Sequence, residues 1–389
     1  MSTQPPLTGV TVLSMAEQYP GPYATLLLAD LGADVILIER RDGGDPSRQF
    51  AAFHEALNRN KRSITLDLKA PEGRDAFLRL AATADVVMEG FRPGIVDRLG
   101  VGYDAVREVN PGIVYVSISG FGQHGPLRDR PAHDVSYQAI AGMLHERLTG
   151  DPGQAPSIAV GDLSAGMFAV VATLTGLVAR GRTGEGSAID VSMTDGLMSW
   201  MTTYLFATAN GFDEPGVPPR EPGYGLFRTA DGGVISLSVA HEDWFWRPMV
   251  TVLGLDDLAD VTALERRERY DELRERIAGA IAVRTRDVWS ELFEAAAVPY
   301  GEVLSLEEVL DHPHTRERGL LVEVPGDDVQ PARIHVRQPL QMRGAPTAID
   351  RHVPTLGQDS ATVLRDAGLT DEEISELVER GIAGEGGGH

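Results

Sequence analysis

The sequence predicts an α/β protein, with a Rossmann-like parallel-sheet large domain joined to a smaller α+β domain. Three observations carry that prediction. Short β-rich runs alternate with helix-length segments through the first half of the chain, the order that builds βαβ units. Ala33 to Glu39 (ADVILIE) is apolar along almost its whole length, as in a strand buried on both faces of a parallel sheet. Residues 207–225 then change character, with four prolines and four glycines in 19 positions, and read as a linker.

Taken in order, Val10 to Met15 is a strand, Tyr19-Pro20-Gly21-Pro22-Tyr23 a turn, and Ala24 to Leu31 a helix stopped by Gly32. After Ala33 to Glu39, the pattern repeats with Ser63 to Leu68 as strand, Pro71 to Ala82 as helix and Asp85 to Glu89 as strand. Val96 to Leu99 and Asp104 to Val109 read as helices, and Ile113 to Ser119 as a further strand. Gly166 to Arg180 is a long apolar helix, Ala188 to Met193 a strand and Thr194 to Phe206 another helix. Beyond the linker, Leu226 to Thr229 and Val234 to Val239 flank Ala230-Asp231-Gly232-Gly233, a hairpin signal. Helices follow at 244–253, 264–283 and 285–296, which makes 226–324 the small domain and 1–206 the large one. Two β-rich runs, 320–324 and 332–336, precede a last helix opened by Thr370-Asp371-Glu372-Glu373, a capping box. The tail 384–389 reads as disordered.

Bulk properties narrow the function. A net charge of −22 argues against nucleic acid and anionic membrane as partners. The longest apolar run, Gly166 to Ala179, has 14 residues, short for a membrane span. No cysteine is present, so thiolate nucleophiles, thiolate metal sites and disulfides are excluded. The N-terminal residues carry no secretory signal, and the cytoplasm is the expected compartment. No G-x-G-x-x-G follows the first strand, which removes support for a dinucleotide. Residues 40–98 nevertheless hold 11 of the 35 lysines and arginines. That concentration fits either solvated helix faces or a site for a polyanionic small molecule.

Chemistry concentrates in Ser119 to Asp162. A glycine-rich turn, Gly120 to Pro126, leads to Ala132-His133-Asp134-Val135-Ser136-Tyr137 at the mouth of one predicted helix. Val160-Gly161-Asp162 opens another. Two bases of different type on neighbouring elements suit removal and return of a proton on carbon. An aspartate after glycine also serves simply as a helix cap, and a lone histidine is often a core or capping residue. His312-Pro313-His314 lacks a third ligand and reads as a turn before a helix, so no metal is expected.

Several segments together resemble the class III CoA-transferase family, which includes CoA-transferases and alpha-methylacyl-CoA racemases. They include Tyr19-Pro-Gly-Pro-Tyr-Ala, Leu31 to Glu39, Asn58-Arg-Asn-Lys-Arg-Ser to Lys69, and Glu89-Gly-Phe-Arg-Pro-Gly94. Gly161-Asp162, Pro299-Tyr-Gly-Glu-Val and Pro354-Thr-Leu-Gly-Gln358 extend the resemblance along nearly the whole chain. It implies an interlocked homodimer in which 325–389 completes the large domain. It also implies an acyl-CoA thioester as substrate, with no permanently bound cofactor. CoA phosphates would then meet Arg40, Arg59, Lys61, Arg62 and Arg92, since guanidinium forks suit phosphate oxygens.

The same resemblance offers two chemistries. In the family's transferases the residue matching Asp162 attacks the thioester; in its racemases that residue is one of two bases. His133-Asp134 resembles the racemase pattern, and an imidazole can exchange protons at neutral pH. The expectation is therefore a 2-methylacyl-CoA racemase working through an enolate, with CoA transfer as the alternative. Glu242 is the expected partner of the histidine, with His241 and Asp243 as rivals in an ambiguous register.

Overall fold

The computed structural model describes residues 4–145, 157–212, 220–347 and 349–384. The chain forms two compact units, one of Met1–Thr202 with Gly319–His389 and the other of Thr203–Arg318.

The large unit is built on six parallel strands, β1 (Thr11–Met15), β2 (Asp34–Glu39), β3 (Lys61–Thr65), β4 (Val86–Glu89), β5 (Val114–Ser119) and β6 (Ser187–Ser192). Their order, β3-β2-β1-β4-β5-β6, reverses direction between β1 and β4. Successive residues of these strands enter opposite cores, as a period of two dictates. Leu13, Met15, Ile36 and Ile38 face one layer, and Val12, Val35 and Leu37 face the other. The first layer holds α3 (Pro71–Ala81) through Phe77 and Leu80, and α5 (Tyr103–Val109) through Val106, beyond the short helix α4 (Ile95–Leu99). The second holds α1 (Pro20–Asp30) through Leu27 and Leu28. A helix that the apolar pattern missed, α2 (Ala51–Asn58), precedes β3.

After α6 (Asp134–Ile140), α7 runs over Val160–Thr183, longer than the 14-residue apolar run at its centre. By length and composition it would suffice to cross a membrane. Here its Ala165, Ala169 and Ala172 lie in the second core, small side chains that let the helix approach the sheet. The single helix predicted over 194–206 is two, α8 (Met193–Trp200) and α9 (Thr202–Ala209), broken at Met201 where ψ is 12°.

The C-terminal stretch closes the first core. Helices α16 (Ser360–Asp366) and α17 (Asp371–Glu379) contribute Val363, Leu364, Ile374 and Leu377 to it. Thr370 and Glu373 form the predicted capping box. Leu66 pairs with Ala383 beyond the end of β3. The β-rich runs near 320 and 332 pair antiparallel as β10 (Leu321–Val324) and β11 (Arg333–Val336). The tail beyond 384 and residues 213–219 of the predicted linker lie outside the described residues.

The small unit carries an antiparallel sheet of β7 (Tyr224–Arg228), β8 (Val234–Ser238) and β9 (Tyr300–Glu302). The hairpin at Ala230–Gly233 forms as expected, with Asp231 Oδ1 accepting from the amide of Gly233. Helices α10 (Asp243–Val252), α12 (Tyr270–Ile281) and α13 (Arg286–Ala295) pack Trp246, Ile277 and Phe293 into one core. The helix predicted over 264–283 is interrupted at Arg269. The short α11 (Ala263–Glu268), with its own Thr262–Glu265 capping box, precedes α12. His312 accepts from the amide of His314 and caps α15 (Pro313–Glu317), which follows α14 (Leu306–Asp311).

Candidate active site

Crevices in open α/β sheets lie beyond the carboxyl ends of the strands, where strand order reverses. The large unit has such a crevice. The loops after β1 (Ala16–Tyr19), β4 (Gly90–Pro93) and β5 (Ser119–Phe121) surround a cavity of about 430 Å³. Arg128, Arg130, His133, Tyr137 and Asp162 complete its lining. Gly21 makes the first turn tight enough: a Cβ there would stand 2.1 Å from that of Ala16. A second cavity, of about 330 Å³, lies beyond β2 and β3 and is lined by Arg40, Arg41, Asp67, Lys69 and Gly381. Glu17 and Phe91 line both cavities.

The reactive corner is the N-terminus of α7. Its capping position, Ala159, has no side chain to offer, and the cap comes from another helix. Asp134, in the first turn of α6, accepts from the amides of Gly161 (2.7 Å) and Asp162 (3.3 Å) through Oδ1. Its Oδ2 accepts from Gln138 Nε2. Gly161 permits this approach, because a Cβ would lie 2.8 Å from Asp134 Oδ1. Asp162 itself sits in the first turn and lines the cavity. Burial, reinforced by the Asp134 charge, pushes its carboxyl up to about 7. Burial and the Asp162 and Asp134 charges push the Tyr137 phenol up to about 12, while its hydroxyl donates to the Ala132 carbonyl at 2.7 Å. Burial, then Asp162, also raises the Tyr19 phenol. His133 precedes α6 with extended backbone, half-buried, and lines the same cavity. The hydroxyl of Ser119, also in the lining, is buried without a hydrogen-bond partner.

A half-buried carboxylate with a raised pKa can attack a carbonyl or take a proton from carbon. Comparison with known proteins decides the substrate class. Residues 7–360 match CoA-transferase family III. The chain belongs to that family. It is an enzyme of acyl-CoA thioesters, with CoA entering as part of the substrate. It is 34% identical to the succinate–glutarate CoA-transferase of Agrobacterium fabrum, over 93% of this chain and 96% of that protein. It is 29% identical to the human alpha-methylacyl-CoA racemase, over 95% and 96%. The crystal structure of a CAIB/BAIF family protein from Brucella suis superposes with a TM-score of 0.82 at 29% identity, covering 94% of this chain and all of that one. The racemase-leaning expectation thus meets a transferase relative at higher identity than the racemase.

The five cations expected to meet CoA in this family III enzyme are placed unequally. Arg92 lines the first cavity and Arg40 the second, its Nε donating to the Gly44 carbonyl. Arg59 is 2% exposed, and its Nη2 lies 2.6 Å from Asp30 Oδ2 and donates to the Val336 carbonyl. Lys61 is wholly buried, donating to the Pro22 carbonyl and to Asn58 Oδ1, and burial holds its pKa well below the usual lysine range. Arg62 bridges Asp34 and Asp366. The fold gives these three other tasks. In the small unit, Glu242 caps α10, and its Oε2 accepts from the Ala240 amide. Its rival Asp243 is paired with Arg266 at 2.8 Å, and His241 is exposed.

Sequence reasoning passed over Asp134, Glu17, Ser119, Arg128 and Arg130 as site residues. Glu17 had a usable signal, since it follows the first strand where a doubly wound sheet opens its crevice. Burial and the Asp45 and Glu39 carboxylates push it up to about 7, against the opposing Arg40 charge. Asp134 had only its place beside His133.

Proposed function

We propose that this enzyme is a CoA-transferase that moves CoA between carboxylic acids, with Asp162 carrying the acyl group. The observation behind this reading is the state of that side chain. Among the described residues its carboxylate accepts no hydrogen bond, although it lines a cavity at a helix N-terminus and Asp134 has taken over the capping. A carboxylate left unbonded and partly desolvated is a better nucleophile than a solvated one. The transferase relative supports the same choice.

In the proposed reaction an Asp162 oxygen adds to the thioester carbonyl, the C–S bond breaks, and CoA leaves as thiolate. The carboxylate of the acceptor acid then attacks the acyl carbon of the mixed anhydride, forming a new anhydride and releasing Asp162 as carboxylate. The thiolate attacks the acceptor's carbonyl in that anhydride, forms the new thioester and releases the first acid. No net proton is consumed. Arg40 and Arg92 are proposed to meet the CoA phosphates, because neither forms an ion pair with a described carboxylate. The interlocked homodimer is part of the proposal. Met167, Val171 and Val178, exposed along α7, give a partner an apolar stripe to cover.

Asp162→Asn should lower transfer by about a thousandfold or more, the scale of a lost nucleophile. Hydroxylamine added during turnover should trap the acyl group in the wild type only. Retention of transfer in the variant would remove Asp162 from this role. A second reading, the racemase, is favoured by the presence of His133 in the same cavity, with Glu242 as its proposed partner. In D₂O, with a 2-methylacyl-CoA and no acceptor, a racemase would place deuterium at the α-carbon and form the other epimer. The transferase should do neither.

A further inference from the structure

Arginine is almost always matched in this acidic chain. Arg59, Arg62, Arg180, Arg266 and Arg286, among many others, each lie against a carboxylate. The loop after β5 departs from that habit. Arg130 forms no ion pair with any described residue and lines the cavity of Asp162. Arg128, in the same lining, comes only within 3.8 Å of its neighbour Asp129, and its Nε is buried without a hydrogen-bond partner. A guanidinium nitrogen buried and unbonded is costly unless something else completes it. Two such forks beside one cavity call for an anion from outside the chain.

Topology says which anion. The cavity with Arg40, Arg41 and Lys69 lies over β2 and β3, and the Asp162 cavity lies over β1, β4 and β5. Glu17 and Phe91 form the passage between them. A thioester whose phosphates rest over β2 enters past Glu17 and reaches Asp162 with its acyl end pointing toward the β5 side. In the sheet β2 and β5 are three spacings apart, roughly 14 Å at about 4.8 Å each. The loop bearing Arg128 and Arg130 therefore stands on the acyl side of the site, away from the nucleotide. The anion to be met there belongs to the acid.

We infer that Arg128 and Arg130 form a subsite for a second carboxylate, so that the acids this enzyme handles are dicarboxylic. The inference rests on the transferase reading for its chemistry and on the cavity alone for its binding. One carboxyl group forms the thioester and meets Asp162. The far one is held by the two guanidinium forks, a geometry suited to carboxylate oxygens. The subsite also keeps the anionic acid away from the repelling Asp134–Asp162 pair.

Two non-cleavable thioethers test it, S-carboxybutyl-CoA and S-pentyl-CoA, which differ only in a terminal carboxylate against a methyl group. Calorimetry at neutral pH should find the carboxylate ligand bound about tenfold more tightly by the wild-type enzyme, the lower end for hydrogen bonds to a charged group. Arg130→Gln and Arg128→Gln should each shrink that preference and leave the affinity for S-pentyl-CoA unchanged. Equal affinities in the wild type would overturn the subsite. So would equal weakening of both ligands by the variants, which would assign the arginines to the nucleotide. In a separate assay, glutarate should accept CoA better than pentanoate, and Arg130→Gln should level the two. Failure of both acids to accept CoA would overturn the transferase reading, while the calorimetric comparison would still decide the subsite.

Discussion

Asp30 and Asp162 are both carboxylates drawn out of water, and the fold has given them opposite surroundings. Asp30, at the end of α1, is 2% exposed and is met by Arg59 at 2.6 Å and by Asn60 Nδ2 at 2.9 Å. Asp162 lines a cavity, has no cation beside it and faces a second carboxylate. Where a charge fastens structure, its partner is built in. At the catalytic corner the partner is withheld, and the cost is tolerated because the group must react. Perturbed groups cluster at functional sites for this reason.

The sharpest way to break the comparison is to leave Asp30 as unaccompanied as Asp162. Arg59→Ala should destabilise the large unit by about 3–5 kcal/mol, the usual result of stripping one partner from a buried ion pair. Urea denaturation would measure it. Arg130→Gln, on the cavity rim, should stay within about 0.5 kcal/mol of wild type, as surface substitutions do.

The converse change relieves Asp162. Its pKa is raised in the folded state, so folding stability is fully present below the unfolded value near 4 and lost as pH rises to about 7. Asp162→Asn should therefore raise the melting temperature, and by more at pH values above 7 than below 4. An unchanged difference across that window would mean that the carboxyl is not held neutral by the fold. A smaller effect follows from Lys61→Met. It leaves the Pro22 carbonyl and Asn58 Oδ1 without their donor, at about 1–3 kcal/mol.

The smallest effect is on pH dependence. The carboxylate form of Asp162 is the active one, so transfer should rise with pH through about 7. Burial is the larger cause of the shift and Asp134 the lesser. Asp134→Asn should accordingly move the acid limb of the pH–rate profile down by only part of the shift. No movement would mean that Asp134 acts on Asp162 through packing alone.

Much of the fold was legible because buried parallel strands announce themselves. A run such as Val35 to Ile38 has few other uses, and its alternation with helices implies the sheet. The two helix interruptions were not legible. Met201 and Arg269 are adequate helix formers, and tertiary packing breaks the helix there. The ends of α7 were hidden because Gly161, Asp162, Arg180 and Arg182 carry no apolar signal. In the site, Asp162 and His133 were visible as residues of the right type in a recognisable order. The division of the cations was not visible, because a sequence reports that Arg59 and Arg130 are charged and omits which of them has a neighbour. The capping of α7 by Asp134 escaped notice for the same reason, since it joins positions 27 residues apart.

The position of the C-terminal helices has a consequence for how this protein comes off the ribosome. Val363, Leu364, Ile374 and Leu377 cover the same sheet face as Phe77 and Leu80, and Ala383 pairs with Leu66. Gly381 is also part of the wall of the cavity over β2 and β3. A nascent chain that has produced all six strands of the sheet still leaves that face uncovered and that wall unbuilt. The intervening 203–318 segment emerges first and has its own core to collapse around. Synthesis thus yields a finished insert within an unfinished host, which must wait with apolar surface exposed until its last helices arrive.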